Sequence, residues 1–336
     1  MLWLKTMRLG PHRLTEVLLM EIRKVTLIGG GVLGSQIAYQ TAYCGYDVTI
    51  YMRSEASIGR TKPKMEMWHK AYIEDLQAAK AVAGQAGARV SRGLIRDIAS
   101  TSVEDIDKLI KAADDAFENM KYETDLAKSV ADADLIIESM AEDPQQKIDM
   151  YKRLAEVMDE KTLIATNSST MLPSTFAEYT GRPAKYMALH FANTIWRNNT
   201  AEVMGHAGTD PEVYKTISAF ADSINMVPLE LHKEQPGYIL NSMLVPFLNA
   251  AETLWAKEVA DPKTIDLTWK LGTGAPIGPF GIIDIVGLNT VYNIGMMHPG
   301  ADDPSTTQGK LMQMLKEKIE KGETGRNAGK GFYDYN

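Results

Sequence analysis

A histidine and a glutamate occupy positions that suit general acid–base chemistry. His190 lies near the end of a predicted strand, 186–191, and Glu202 lies near the start of the next, 200–204. If these strands are antiparallel neighbours, the two side chains lie close together. A carboxylate that accepts from one imidazole nitrogen fixes the tautomer and leaves the other nitrogen to transfer a proton. The pair predicts a catalytic histidine; the alternative is a core histidine with no chemical role.

Three glycines after the first apolar segment form the pattern GxGxxG. A β-branched run over 25–28 precedes them, and a helical pattern over 36–43 follows. In this context the first glycine permits a tight turn, the second lets a pyrophosphate approach the backbone, and the third lets the helix lie close to the strand. N–H groups at the helix start then face the phosphates. The residues predicted to contact a dinucleotide here are Gly29, Gly31, Val32, Leu33 and Gly34. A glycine-rich turn without a ligand is the alternative.

The second predicted strand, 48–51, is not followed by the acidic residue that usually binds the ribose 2′-hydroxyl of NAD. Met52 occupies that position, and Arg53 and Ser54 follow it. No carboxylate is there to repel a 2′-phosphate, whereas a guanidinium and a hydroxyl can bind one. We therefore expect an NAD(P) cofactor, with NADP favoured over NAD, and predict that these three residues contact it. The alternative is that Arg53 is a solvated loop residue.

Polar residues follow two further predicted strands. The strand over 135–137 is followed by Glu142, and the strand over 163–165 leads into the sequence TNSST, which contains Asn167 and Ser169. In a parallel sheet, ligands bind outside the carboxyl ends of the strands. The TNSST segment therefore predicts a ligand site, with a simple helix cap as the alternative.

These residues need a sheet whose strands alternate with helices, and the apolar pattern of the chain predicts one. We expect an α/β fold, with a Rossmann-type N-terminal domain that has a mostly parallel sheet, followed by an all-α C-terminal domain. Two helices over 62–83 and 103–120 are predicted to leave the sheet and return as a helical excursion. Basic residues at one end of it either contact the phosphates of coenzyme A or form a solvated helix face: Arg60, Lys62, Lys64 and Lys70.

Three segments are predicted along the chain: a disordered extension over 1–19, a dinucleotide-binding domain over 20–233, and a helical domain over 234–336. The helical domain begins with a long apolar helix over 237–257. Asn241 lies in its first turn, where a buried amide needs a protein or ligand partner. Further helices are expected over 264–271, 289–297 and 305–320, with a Gly- and Pro-rich connection over 272–288.

The composition fits a globular protein with a large core. The chain has 336 residues, of which 45% are hydrophobic, and a formal net charge of −7. This charge argues against nucleic acid as the main partner. Because Cys44 is the single cysteine, no intrachain disulfide can form, and we expect a cytoplasmic protein. No apolar stretch is long enough for a membrane span, and no metal site is expected.

Several motifs in a fixed order resemble one family. From Lys24 to Asn336 the chain resembles the L-3-hydroxyacyl-CoA dehydrogenases, and within them the 3-hydroxybutyryl-CoA dehydrogenases and the diketoreductase-like members. The resemblance rests on VTLIGGGVLGSQIA, ADLIIESMAED, TNSSTMLPS, ALHFANTIWRNNTAEVMG, PGYILNSMLVPFLNAAE, GTGAPIGPFGIIDIVGL and GKGFYDYN. It implies hydride transfer between a nicotinamide and a 3-hydroxyacyl-CoA or 3-oxoacyl-CoA, with a short chain such as 3-hydroxybutyryl-CoA expected. It also implies a homodimer formed through the helical domain.

The same resemblance assigns roles to individual residues. It implies that His190 is the general acid–base and that Glu202 is its paired carboxylate. Ser169 would hydrogen-bond the substrate oxygen and touch the nicotinamide, and Asn241 would help to orient the substrate carbonyl. Further cofactor contacts are implied for Glu142, Lys147 and Asn193.

The departures from the family pattern leave the substrate open. Thr194 lies where the family usually has a proline, and Arg197 enters the loop near the site. An arginine there could bind a free carboxylate, which would favour a free 3-hydroxy acid or a diketo ester over a thioester; the alternative is an exposed loop arginine. A third possibility is a structural protein that binds nucleotide without turnover, although the set of four catalytic residues argues against it.

Overall fold

The computed structural model describes residues 20–335, so the predicted extension over 1–19 lies outside the described residues. The chain divides after Tyr238 into two compact units. The first is built on a sheet, and the described part of the second, 239–335, is helical. Within residues 20–335, no helix combines the length and the apolar character needed to cross a membrane.

Eight strands of the first unit form one sheet. They are β1 Lys24–Ile28, β2 Asp47–Tyr51, β3 Lys121–Glu123, β4 Leu135–Glu138, β5 Leu163–Thr166, β6 Tyr186–Phe191, β7 Thr200–Met204 and β8 Val227–Leu231. Their order is β3-β2-β1-β4-β5-β6-β7-β8, and every pairing is parallel except β6 with β7. The central strands β4 and β5 are buried at every position, as expected for a sheet covered on both faces. The predicted mostly parallel sheet is confirmed. Strand β3 was not predicted because it has only three residues.

Six α-helices connect these strands. They are α1 Val32–Tyr43, α2 Glu55–Lys80, α3 Val103–Glu118, α4 Leu126–Val130, α5 Pro144–Val157 and α6 Pro211–Ser223. The excursion formed by α2 and α3 is present, but α2 begins seven residues before the predicted start at residue 62. Ser54 caps it by accepting from Ser57 N at 3.3 Å. Pro63 therefore lies inside the helix, although a proline usually marks a helix boundary.

Five α-helices form the second unit. They are α7 Tyr238–Ala256, α8 Pro262–Thr273, α9 Pro279–Val286, α10 Leu288–Gly295 and α11 Thr307–Glu320. Leu248, Phe280, Ile283 and Leu315 belong to its buried core. Helix α9 lies in the segment predicted as a connection. Its start is stabilised from another helix, because the carboxylate of Asp266 on α8 accepts from Phe280 N at 2.8 Å and from Gly281 N at 2.9 Å. Local composition does not reveal a cap of this kind.

Candidate active site

The glycine turn between β1 and α1 has the shape that the sequence predicts. Gly29 has φ +106°, and a Cβ there would lie 2.7 Å from Ser139 O, so the position needs glycine. A Cβ on Gly34 would overlap Gly29 O, which shows how closely the helix lies on the strand. Gly31 is the N-cap of α1, and a Cβ there would meet nothing within 4 Å. Open space beside helix N–H groups fits the approach of a pyrophosphate.

The three residues after β2 differ in their exposure to solvent. Met52 is buried against the glycine turn, with its Sδ 3.9 Å from Thr61 Oγ1, and Thr61 donates to Gly30 O at 2.9 Å. The predicted direct contact between Met52 and a cofactor stays a prediction, and no carboxylate lies at this position. Arg53 is exposed and Ser54 is partly exposed.

His190 and Glu202 face each other across β6 and β7. The two strands are antiparallel, and their register places these residues opposite each other. His190 Nδ1 lies 2.9 Å from Glu202 Oε2, and both side chains are buried, with side-chain exposures of 8% and 4%. The predicted neighbouring strands and the predicted contact are confirmed. With Nδ1 engaged, Nε2 is the ring nitrogen that can exchange a proton with a ligand.

Glu142 holds the backbone that carries Ser169. Its Oε2 accepts from Ser168 Oγ at 2.7 Å, and its Oε1 accepts from Ser169 N at 2.8 Å. Ser169 is partly exposed, and its Oγ lies 3.5 Å from Glu142 Oε1. The structure therefore brings together two residues that follow different strands, and Glu142 has a positioning contact besides its predicted role towards the cofactor.

A buried polar cluster lies where β4 and β5 end, and sequence reasoning missed it. Glu138 accepts from Lys147 Nζ at 2.6 Å, from Tyr151 Oη at 2.9 Å and from Thr166 Oγ1 at 2.7 Å. Glu138 and Lys147 are fully buried. This geometry therefore supports a structural role for Lys147 rather than the implied cofactor contact, which stays a prediction. A charged residue at the end of an apolar strand was the available signal.

The other predicted residues lie on the surrounding segments. Asn167 is buried; its Oδ1 accepts from Phe191 N at 3.0 Å, and its Nδ2 donates to Ser139 Oγ at 3.3 Å. It therefore ties the ends of three strands together. Asn193 is exposed on the loop after His190, and Asn241 lies partly buried in the first turn of α7 in the second unit. Their roles stay predictions.

The loop after His190 is fixed by contacts with α1 and α2. Thr194 has φ +61° and donates its N–H to Gln36 Oε1 at 2.8 Å. A proline could adopt neither that φ nor that hydrogen bond, so the loop has a conformation that the family's usual proline could not adopt at position 194. Arg197 Nε and Nη2 donate to Asp75 at 2.8 and 2.7 Å. The proposal that Arg197 binds a substrate carboxylate is therefore not supported, because its guanidinium is paired.

Asp75 is the centre of that loop's attachment. It also accepts from Trp196 Nε1 at 3.0 Å and from Ser91 Oγ at 2.6 Å. Burial alone would raise the pKa of Asp75, but the hydrogen bonds from Arg197 and Ser91 outweigh burial and hold the pKa below its usual value. The carboxylate therefore stays ionised, and the loop stays attached to α2.

Comparison with known proteins decides the family. Residues 24–235 match the model of the 3-hydroxyacyl-CoA dehydrogenase NAD binding domain, and residues 237–335 match that of the 3-hydroxyacyl-CoA dehydrogenase C-terminal domain. The chain belongs to the 3-hydroxyacyl-CoA dehydrogenase family. The family predicted from the motifs is confirmed, and with it a dehydrogenase that binds a nicotinamide cofactor. The predicted domain boundaries at 20, 233 and 336 stay predictions.

Individual members of the 3-hydroxyacyl-CoA dehydrogenase family match nearly the whole chain. A 3-hydroxybutyryl-CoA dehydrogenase of Clostridioides difficile is 29% identical over 313 residues, covering 93% of this chain and 99% of that protein. The human mitochondrial hydroxyacyl-coenzyme A dehydrogenase is 28% identical over 316 residues, covering 94% of this chain and 91% of that protein. A solved structure of a diketoreductase that acts on dicarbonyl compounds is 45% identical with a TM-score of 0.79, covering 94% of this chain and 100% of that one.

Proposed function

We propose that this protein interconverts a short-chain 3-hydroxyacyl-CoA, such as 3-hydroxybutyryl-CoA, and the matching 3-oxoacyl-CoA. The observation that carries the proposal is the 2.9 Å contact between His190 Nδ1 and Glu202 Oε2. This contact places a buried acid–base pair on the sheet of a protein whose family binds a nicotinamide cofactor. The 3-hydroxybutyryl-CoA dehydrogenase among the relatives supports the thioester substrate.

The residues of this chain divide the chemistry between them. A nicotinamide dinucleotide held at the glycine turn between β1 and α1 would supply the hydride acceptor for oxidation and the hydride donor for reduction. His190 Nε2 takes the hydroxyl proton in oxidation and returns it to the developing alkoxide in reduction, a form of help worth roughly 10²–10⁴ in rate. Glu202 stabilises the imidazolium that forms. Ser169, held through its backbone by Glu142, hydrogen-bonds the substrate oxygen and positions it.

A second candidate keeps this chemistry but changes the substrate to a free 3-hydroxy acid or a diketo ester. The 45% identity to the diketoreductase favours it. The pairing of Arg197 with Asp75 removes the carboxylate-binding argument for the free acid, so among these substrates the diketo ester is the stronger competitor. The basic residues of α2, which include the exposed Lys62 and Lys70, favour the thioester.

One substrate comparison tests the proposal. The oxidation of NADPH and NADH is followed with acetoacetyl-CoA, with acetoacetate and with a diketo ester at equal concentrations. A kcat/KM for acetoacetyl-CoA well above the other two is expected. Faster turnover of the diketo ester would establish the second candidate. No turnover with any of them, in protein that binds the nucleotide, would favour the non-catalytic role.

We also propose a preference for NADP. The exposed guanidinium of Arg53 and the hydroxyl of Ser54 lie at the start of α2, where Ser54 Oγ is 3.1 Å from Ser57 Oγ and Arg60 Nη2 donates to Ser57 Oγ at 2.8 Å. Two guanidiniums, two hydroxyls and a helix N-terminus favour a phosphate dianion over a hydroxyl. Direct titration with NADPH and NADH measures the preference, and tighter binding of NADH would contradict it.

A homodimer is the last part of the proposal. The helical unit exposes many large apolar side chains, more than isolated surface residues require: Ile239, Leu240, Met243, Val245, Leu254, Val259, Leu267, Trp269, Leu271, Ile285, Val286, Ile294 and Met297. Exposed apolar surface on this scale favours association. Light scattering coupled to size-exclusion chromatography distinguishes a dimer from the 37.2 kDa monomer.

A further inference from the structure

Tyr238 packs directly against the proposed acid–base. Its ring is stacked on the imidazole of His190, with ring centroids 4.4 Å apart and an interplanar angle of 14°. The side chain is buried, with a relative exposure of 1%. Glu202 therefore fixes the edge of the imidazole, and Tyr238 covers one of its faces. The two contacts together restrict both the rotation and the tilt of the ring.

The phenol of Tyr238 also reaches the backbone beside Ser169. Tyr238 Oη donates to Ser168 O at 2.7 Å, and on the other side of the same peptide unit Ser169 N donates to Glu142 Oε1 at 2.8 Å. Burial raises the pKa of Tyr238 above its ordinary value. The hydroxyl therefore stays protonated and remains a donor. One tyrosine thus joins the histidine and the serine through two independent contacts.

The backbone is shaped to place this ring. Tyr238 has φ +54° and follows Gly237, which has φ +76°. A left-handed conformation is unfavourable for an aromatic residue and persists only where surrounding contacts impose it. Tyr238 N donates to Gln235 O at 3.0 Å within this turn. The backbone strain therefore lies at the residue that contacts His190, and this placement supports a positioning role.

We infer that Tyr238 is a positioning residue that sets the orientation of His190 and its distance from Ser169. The inference rests on the proposed role of His190. The titratable and charged groups in described contact with the imidazole are Glu202 on its edge and Tyr238 on its face. Substitution of Tyr238 changes the second and leaves the first in place.

Two substitutions separate the two contacts. Tyr238→Phe keeps the stacked ring and removes the hydrogen bond to Ser168, whereas Tyr238→Leu removes both. Tyr46→Phe is the matched control. It also removes a phenol hydroxyl and its hydrogen bond, but the partner, Ser223 Oγ, lies on helix α6. Each variant is measured for kcat, for KM, for the pH profile of the reduction, for nucleotide Kd and for melting temperature.

We expect a graded result. In Tyr238→Phe, kcat falls about tenfold while the pH profile keeps its wild-type position, since misplacement of a reacting group costs rate but not proton affinity. In Tyr238→Leu, kcat falls further, because the imidazole loses its stacked ring as well as the hydrogen bond to Ser168. Nucleotide Kd stays within about twofold in both. Tyr46→Phe behaves like the wild type.

A second readout does not depend on turnover. A stacked ring shifts the carbon-bound proton signals of an imidazole upfield, and His190→Asn identifies which NMR signals belong to His190. Tyr238→Phe should retain the shift and Tyr238→Leu should lose it. Wild-type kcat in both Tyr238→Phe and Tyr238→Leu would overturn the inference; if the leucine variant does not fold, wild-type kcat in Tyr238→Phe alone overturns it. Full turnover in His190→Asn would instead refute the proposed function.

Discussion

Arg197 and Asp75 form a two-point ion pair that joins the loop after His190 to helix α2. Nε and Nη2 of Arg197 donate to the two carboxylate oxygens at 2.8 and 2.7 Å. The loop follows directly from the strand that carries His190. The arginine is therefore part of the frame of the site, although the sequence suggested a substrate contact.

Substitution of Arg197 by alanine tests that conclusion. We expect the KM for acetoacetyl-CoA and for acetoacetate to change by the same factor, because no substrate carboxylate contacts the guanidinium. The free energy of unfolding should fall by about 1–2 kcal/mol, since the pair is bidentate but its arginine is half exposed. Asp75→Asn should give a similar loss. A rise in KM confined to the free acid would restore the original hypothesis.

The His190–Glu202 pair predicts a direction of pH dependence. Reduction needs the imidazolium and should slow as pH rises, whereas oxidation needs the neutral ring and should accelerate. His190→Asn should lose about a thousandfold in kcat with unchanged nucleotide binding, and Glu202→Gln should lose about tenfold because the imidazolium loses its counter-charge. Steady-state kinetics in both directions measure these effects. Equal losses in nucleotide affinity would point to disruption of the fold.

Arg53→Ala tests the basis of the NADP preference. We expect the Kd of NADPH to rise about tenfold and that of NADH to stay within twofold, because only the former carries the 2′-phosphate. Lys70→Ala is the matched control. It also removes a positive charge from helix α2, but this charge lies away from the N-terminal end of the helix, with Lys70 Nζ 3.8 Å from Glu74. Isothermal titration of the four combinations gives the comparison. An equal effect on both nucleotides would show that Arg53 does not face the 2′-position.

The buried pair of Glu138 and Lys147 should be costly to break. Lys147→Met leaves a carboxylate buried without its counter-charge, which should lower the free energy of unfolding by about 3–5 kcal/mol. The double variant with Glu138→Gln should recover much of that loss. Lys161→Met serves as the control. Lys161 is half exposed in its ion pair with Asp134, so the pair should contribute about 0–1 kcal/mol to the free energy of unfolding. Urea denaturation of all three variants measures the differences.

Glu252 on α7 should make stability depend on pH. Its side chain is buried, its Oε1 has no hydrogen-bond partner among the described residues, and burial raises its pKa from 4.5 to about 7. Below pH 4.5 the carboxyl is neutral in the folded and unfolded states. Between pH 4.5 and 7 the unfolded state loses the proton first, so stability falls as pH rises, by about 3 kcal/mol in total.

Glu252→Gln removes this titration. The variant should gain stability relative to the wild type as pH rises through that window, and the difference should be constant above pH 7. Glu317→Gln, at an exposed position in the same helical unit, should show no such trend. Denaturation at several pH values provides the test; parallel stability curves for Glu252→Gln and the wild type would contradict it.

The sequence by itself determined the features that depend on local pattern. The apolar runs defined seven of the eight described strands, and alternation with helices defined the parallel sheet. The spacing of Gly29, Gly31 and Gly34 indicated the dinucleotide turn. The expectation that His190 and Glu202 face each other followed from two adjacent strands with a short loop, because antiparallel neighbours have a fixed register.

Only the tertiary structure decided how side chains from distant segments meet. Arg197 lies far along the chain from Asp75, and Glu138 accepts hydrogen bonds from residues of helix α5 and strand β5 that no spacing rule connects to it. The same holds for Tyr238, which reaches His190 through a left-handed turn. Hydrogen bonds and ring contacts of this kind depend on three-dimensional packing, so a one-dimensional pattern carries no signal for them.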